Sequence, residues 1–369
     1  MSKKLLFYAP MKPISDPVPS GDREIARGLH NFFVDNDYEV EVLSEFRTRF
    51  FYKDLKQSMK WPTEMVKAFA KSLKFKPDAL FTYHTYYKAP DAISPFIAKT
   101  LGIPYFIFEG MHAERPSESW DTIAGYHLSR FPLTSSKHVF SDKEDDLEML
   151  NKLMGPSRVT HVAPSIDTNL FRKNGTAAEE FRSKFNLDEN KTTIVSIAMM
   201  RPDRKTEGLL FLIDALARVK QSHPELDFQL VIIGDGDKFE HVQKTALETL
   251  PGQATLTGGL EKDEIVGGLS ASDIFAFPGI DEGFGLVYVE AQSCGLPVVA
   301  LDNGGIPGAV NRNQSAFLTP FGDANAYADA LRKLLESPQL REKMGTAARD
   351  YVLKNHSRTT NYKVLLEHV

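Results

Sequence analysis

Cysteine is almost absent from this chain. A single residue, Cys294, occurs among 369, which excludes an internal disulfide and any metal cluster built on cysteine. No stretch approaches the eighteen or so apolar residues of a membrane span. The N-terminal run MSKKLLFYAPMKP is apolar only briefly before Pro10, so it does not read as a secretory signal and a cytoplasmic location is expected. There is no excess of basic residues: the net charge is −5, which gives no global pull toward nucleic acid. Internal repeats and low-complexity tracts are also missing. The strand-end turn Gly234-Asp235-Gly236 lacks the third glycine of a dinucleotide-binding fingerprint, because Phe239 stands in its place; an NAD site is thereby excluded.

What is present is the composition of a soluble globular protein, 42% hydrophobic and 25% charged, in a chain long enough for two domains. Short buried-strand runs alternate with helical patterns throughout, which predicts α/β architecture with parallel sheets. Strands are expected at residues 5–9, 38–43, 79–83, 104–109, 139–141 and 159–163, with a helix over 23–35. A second series has strands at 193–197, 228–234, 254–257, 274–278 and 297–301, with helices at 208–221 and 238–250. The sum is two Rossmann-like halves.

The most informative stretch is GIDEGFGLVYVEAQSCGLPVVA, residues 279–300. Glu282 and Glu290 flank an E-G-F-G turn and a helical run. Read as one helix, eight steps of about 1.5 Å separate them by about 12 Å, the length of a sugar joined through a diphosphate to a ribose. The glycines leave the amides of Gly283, Phe284 and Gly285 bare at a helix N-terminus, which favours an anionic or hydroxyl-rich ligand. Two acids at this spacing also occur on ordinary solvated helices. Cys294, in the last turn before Gly295, reads as a small buried packing residue.

With EGFG before it and EAQSCGLPVVA after it, this segment resembles the E-x7-E signature of the retaining glycosyltransferases of family 4, the glycosyl transferases group 1. The resemblance spans nearly all of the second half with specific motifs, and the first half by architecture and a few loops. It implies a GT-B fold: two facing Rossmann-like domains with parallel sheets and an interdomain cleft. Residues 1–168 would form an acceptor-side domain, rejoined by a C-terminal helix at about 355–369, and residues 169–354 a donor-side domain.

The resemblance also implies site residues. Breaking the anomeric C–O bond leaves a diphosphate dianion, whose stabilisation is an electrostatic task for cations and helix N-termini, with no metal and no cofactor. In SIAMMRPDRKTEG, Arg201 and Lys205 are the matching cations. The family's lysine usually stands directly before the glycine, where this chain has Glu207 before Gly208. Glu290 would hold the ribose hydroxyls and Glu282 those of the donor sugar, with Gly283, Phe284, Gly285 and Leu286 lining the donor. Gly234 and Gly236 would border the base and Gly259 and Leu260 contact it, and Gly304-Gly305 resembles a further glycine loop. Ser20-Gly21 takes the place of the family's first glycine-rich loop, although a glycine in a proline-rich loop also serves as a simple turn. On the acceptor side, relatives place a histidine after the strand at 104–109. Here His112 comes about two residues late and Glu109 or Gly110 takes the usual position, while His84 ends the preceding strand, where ligands of open sheets collect. Arg115 is a further charged residue in that loop.

Between Glu45 and Lys76 stand nine Lys or Arg and three acids, interleaved with Phe50, Phe51, Tyr52, Trp61, Phe69 and Phe75. One reading is peripheral contact of residues 45–76 with the inner face of a membrane or with a lipid-linked acceptor. The other is a solvated helix face with its aromatics packed inward.

The leading expectation is thus a metal-independent retaining transferase moving a sugar from a UDP- or GDP-sugar to a glycan or lipid-linked acceptor. An epimerase or phosphorylase on the same architecture, a two-lobed solute-binding protein and a catalytically degenerate scaffold are the competing readings.

Overall fold

Apolar runs too short for helices, and buried on both faces, set the framework of the molecule. The computed structural model describes residues 2–18, 20–112 and 120–369, without the side chains of 120–122, 144 and 145; Arg115 lies outside the described residues. The chain forms two compact units, residues 1–165 with 358–369, and residues 166–357.

The first unit contains β1 (Lys4–Tyr8), α1 (Gly21–Asp35), β2 (Glu39–Val42), α2 (Leu55–Phe75), β3 (Ala79–Thr85), α3 (Ser94–Leu101), β4 (Tyr105–Gly110), α4 (Trp120–Ser135), β5 (His138–Ser141), α5 (Glu144–Met154) and β6 (Val159–His161). The strands pair in parallel in the order β2-β1-β3-β4-β5-β6. Successive side chains of a strand point to opposite faces, and the core divides accordingly. Leu6, Tyr8, Leu80 and Ile107 pack on one face with α2 and α3, and Leu5, Phe7, Phe81 and Phe108 pack on the other with α1. That second face is completed by the end of the chain, α14 (Arg358–Asn361) and α15 (Lys363–His368). Tyr362 is buried edge-on to Phe32 and Phe108 at 5.5 and 5.6 Å.

Most aromatics between residues 50 and 75 turn inward. Phe51 and Phe75 are buried, and Tyr52, Trp61 and Phe69 pack half-buried against the same core. Burial against the sheet thus occupies these rings.

The second unit runs α6 (Gly175–Phe185), β7 (Thr192–Ile197), α7 (Arg204–Ser222), β8 (Phe228–Ile233), α8 (Phe239–Thr249), β9 (Ala254–Leu256), α9 (Lys262–Ser270), β10 (Ile274–Ala276), α10 (Leu286–Ser293), β11 (Val298–Leu301), α11 (Ile306–Ala309), β12 (Ala316–Thr319), α12 (Ala324–Glu336) and α13 (Pro338–Asn355). Its parallel sheet has the order β12-β11-β10-β7-β8-β9. The edge strand β12 has no counterpart in the sequence reading. Cys294 caps α10 and is buried; burial, then the charge of Glu290, pushes its thiol up to about 12, as befits a packing residue. Among the described residues no helix is long and apolar enough to cross a membrane.

Candidate active site

In an open parallel sheet the loops leaving the carboxyl ends of the strands splay apart where the strand order reverses, and ligands bind in the crevice between them. In the second unit the reversal lies between β7 and β10. The loop after β7 carries Arg201 and leads into α7 with Lys205 in its first turn, and the loop after β10 carries Glu282.

Each loop is shaped by its own contacts. Asp203 caps α7 by accepting the Lys205 amide at 3.0 Å, so Lys205 falls in the first helical turn. Its ammonium reaches Glu282 Oε1 at 2.9 Å, with the glutamate side chain only 13% exposed. The altered register of the lysine is thus compatible with contact to the signature carboxylate. Beside it, Arg204 bonds Asp281 at 3.3 Å and Glu207 at 2.8 Å. Arg201 is exposed, its guanidinium 3.3 Å from the Met199 sulfur.

The glutamate loop is held from the strand alongside. Asn303 accepts the Asp281 amide and donates to the Gly279 carbonyl, both at 3.0 Å, and the Gly305 amide donates to the Glu282 carbonyl at 2.9 Å. The approach admits no side chain: a Cβ on Gly305 would lie 1.6 Å from the Gly283 carbonyl oxygen, and one on Gly304 2.3 Å from that of Glu282. Gly285, in the left-handed region at φ 77°, is the N-cap of α10. The helix covers only Leu286–Ser293, so Glu282 stands in the loop ahead of it and the length estimate made along a single helix is withdrawn. Glu290 lies within α10, half-buried. Among the described residues the amides of Gly283, Phe284 and Gly285 donate no hydrogen bond, which leaves three donors at a helix N-terminus.

The glycines after β8 and β9 close the same edge of the sheet. A Cβ on Gly234 would meet the Ala198 carbonyl oxygen at 1.9 Å, and one on Gly236 that of Met200 at 2.5 Å. The turn therefore packs backbone against backbone on the segment leading to Arg201. The Gly234 amide donates to the Gly258 carbonyl at 3.0 Å, which places Gly259 and half-buried Leu260 next in line.

In the first unit the strand order reverses between β1 and β3, and a second charged group sits there. His84 ends β3 and Glu109 ends β4, each buried and each at positive φ, 61° and 57°. His84 Nδ1 lies 3.1 Å from Glu109 Oε2 and 3.3 Å from Asp22 Oδ1. Asp22 follows Gly21 in the first turn of α1, whose cap Ser20 accepts the Arg23 amide. Burial by itself pulls the imidazolium down, but the Glu109 and Asp22 carboxylates outweigh it and raise His84 to about 9. Burial pushes Glu109 up, and the His84 charge, a hydrogen bond from Asp142 and the Lys143 charge together take it well below the carboxylate range. Asp142 is driven up by burial and then by the Glu109 charge. The second ring nitrogen of His84, Nε2, is buried with no partner among the described residues. Asp22, His84 and Glu109 bring three potential ligand atoms within 4.8 Å. The three side chains form a hydrogen-bonded charge cluster, and a cation bound there would have to displace the imidazole proton.

His112 is not part of it. Its ring stacks on Tyr126 at 5.2 Å, its Nδ1 is buried without a partner among the described residues, and burial, then the Arg130 charge, lowers its pKa. Asp22, Asp142, Lys143 and Asn303 escaped sequence reasoning. All follow directly on strand ends or helix starts, and attention to the residues flanking each strand end would have found them.

Residues 177–351 match the model of the family described as "Glycosyl transferases group 1". A GDP-mannose-dependent alpha-(1-6)-phosphatidylinositol monomannoside mannosyltransferase of Mycobacterium tuberculosis (strain CDC 1551 / Oshkosh) is 30% identical over 207 residues, 54% of this chain and 52% of that protein. An N-acetyl-alpha-D-glucosaminyl L-malate synthase of Bacillus anthracis is 24% identical over 271 residues, 73% of this chain and 69% of that one. The chain thus spans about half the length of the first of these relatives. Among solved structures, Anabaena Alr3699/HepE in complex with UDP superposes with a TM-score of 0.73 at 18% identity, over 99% of this chain and 98% of that one. The second unit is thus a glycosyl transferases group 1 domain, and the chain has the GT-B fold and resembles the glycosyltransferases of family 4.

Proposed function

We propose that the chain is a retaining glycosyltransferase that moves a sugar from a UDP- or GDP-sugar to a glycan or lipid-linked acceptor without a metal. The observation that carries the reading is the Lys205–Glu282 pair, which joins a cation for the departing diphosphate to a carboxylate for the sugar hydroxyls at one switch point. Arg201 adds a second, exposed positive charge on the same loop. The free amides of Gly283, Phe284 and Gly285 supply hydrogen-bond donors for developing negative charge, and Glu290 is the group for the ribose. The GDP-mannose-dependent phosphatidylinositol monomannoside mannosyltransferase among the relatives favours a nucleotide-sugar donor and a lipid-borne acceptor. On the acceptor side the His84–Glu109–Asp22 group provides a cation and carboxylates for hydroxyl-rich substrates.

A panel of UDP, GDP, ADP and their sugar conjugates in thermal unfolding tests this. A ligand at 100 times its dissociation constant stabilises by about 2.7 kcal/mol, and Glu290→Ala removes that stabilisation. Glu282→Ala instead loses the distinction between a sugar conjugate and its bare nucleotide. No response to any nucleotide would end the proposal, and identical behaviour of the two variants would end the assignment of separate roles.

A further inference from the structure

Two ion pairs stand side by side across the switch-point crevice of the second unit. Arg204 and Lys205 enter from the β7 side, Asp281 and Glu282 from the β10 side. Consecutive residues meet consecutive residues: Arg204 pairs with Asp281 at 3.3 Å and Lys205 with Glu282 at 2.9 Å. The settings differ. The outer pair is exposed, and Arg204 is shared with Glu207 at 2.8 Å. The inner carboxylate is only 13% exposed. Asp281 is also held in the left-handed region at φ 55°, which costs most residues with a Cβ but which Asp and Asn tolerate. The Asn303 side chain fixes it there by accepting its amide at 3.0 Å.

These contacts occupy groups that a nucleotide sugar needs. Arg201, on the same loop, is exposed and makes no ion pair among the described residues, so its charge is open to a diphosphate at first encounter. Lys205 becomes available only when it leaves Glu282. A bare nucleoside diphosphate that draws the lysine away strands a mostly buried carboxylate without its cation, which is unfavourable. A conjugate that still carries its sugar brings hydroxyl donors to the same carboxylate in the same move. The exchange therefore opposes the bare nucleotide and is compensated for the intact donor. Leaving a buried polar group of the site unpaired discriminates more strongly than a merely missing apolar contact does.

We propose that the two ion pairs form a latch on the donor seat, opened by an intact sugar nucleotide and resistant to the bare nucleoside diphosphate. Glu282 is the selecting group, and Arg204 and Asp281 are positioning residues that hold the two loops together. The latch also gives turnover a direction. Once the sugar has left, Glu282 loses its hydroxyls and retakes Lys205, which loosens the spent nucleotide. The inference rests on the transferase reading.

The test is calorimetric titration of the full chain with UDP, GDP, ADP and their sugar conjugates. The variants are Glu282→Gln, Lys205→Gln, the two combined, and Asp281→Asn, whose side chain suits φ 55°. Glu282→Gln is expected to bind the bare diphosphate about fivefold more tightly than the parent, because the lysine is released. That gain vanishes when Lys205→Gln is also present. Any conjugate that the parent prefers to the bare diphosphate loses that preference in Glu282→Gln. Asp281→Asn alters only an exposed side chain and so keeps the fold; it tightens bare diphosphate and conjugate alike, about twofold, and leaves their ratio unchanged. Bare-diphosphate affinity that is unchanged or weakened in Glu282→Gln would overturn the latch. So would a gain that survives Lys205→Gln, since simple repulsion by the carboxylate would then explain it. An unaltered Asp281→Asn would remove the outer pair from it. A parent chain that binds no nucleotide would end the transferase reading itself, whereas a parent that binds without any gain in Glu282→Gln would end this inference alone.

Discussion

Lys205 Nζ stands 2.9 Å from Glu282 Oε1, although one residue follows β7 and the other follows β10. The first unit repeats the arrangement, with His84 at the end of β3 placed 3.3 Å from Asp22, which follows β1 in the first turn of α1. Each sheet holds a cation–carboxylate pair at its own reversal of strand order. Adjacent parallel strands whose helices depart to opposite faces leave their loops facing one another, so charged residues on those loops meet however distant they are in sequence.

The lysine pair separates binding from folding. Lys205 is 42% exposed, so Lys205→Ala costs less than about 1 kcal/mol of stability. It nonetheless lowers affinity for the stabilising nucleoside diphosphate at least about tenfold, some 1.4 kcal/mol, whereas Lys205→Arg retains most of it. Calorimetric titration measures both. Unchanged affinity in the alanine variant would remove Lys205 from the site.

Gly305→Ala strikes the seam between the glutamate loop and its neighbour. Its backbone dihedrals are ordinary, with φ −89°, so the whole penalty is the 1.6 Å approach to the Gly283 carbonyl. The expected cost is about 3 kcal/mol, with loss of nucleotide stabilisation as the loop shifts. Gly21→Ala, where a Cβ meets nothing within 4 Å, serves as the control and leaves stability within about 1 kcal/mol. Denaturant unfolding of both variants decides; equal stabilities would show that the loops part without penalty.

His84 ties the first unit's stability to pH. Its folded value of about 9 lies above the ordinary 6.5. The stabilisation from charging it is therefore complete below about pH 6.5 and disappears as pH rises through about 9. The shift corresponds to about 3 kcal/mol. Melting temperatures of the parent chain should fall between those limits by more than those of His84→Gln. Parallel pH profiles would show that the imidazole is not charged in the folded state.

The strands were legible because a buried parallel strand leaves a local trace. FQLVII and ALFTY are read without knowledge of neighbours, and both are wholly buried. The edge strand AFLT is short and only partly buried, so its run carried little signal. The glutamates, the glycine turns and Arg201 were visible as motifs. Asp22 was not, because its importance comes from the end of a strand more than fifty residues later. In α2 the pattern offered apolar residues on two sides of the helix, aromatic and aliphatic, and periodicity cannot say which of two apolar faces meets the sheet.

The sequence by itself determined the alternation of strand and helix, the parallel α/β class, the buried packing role of Cys294, and the glutamate signature with its glycine turns. Each rests on spacing within a few residues, the range over which backbone geometry couples side chains. Tertiary structure alone decided that Lys205 meets Glu282, that His84 is shared between Asp22 and Glu109 while His112 stacks on Tyr126, and that α2 keeps its aromatics in and its leucines out. Those outcomes depend on strand order and on competition for burial, and both are settled only when distant segments pack.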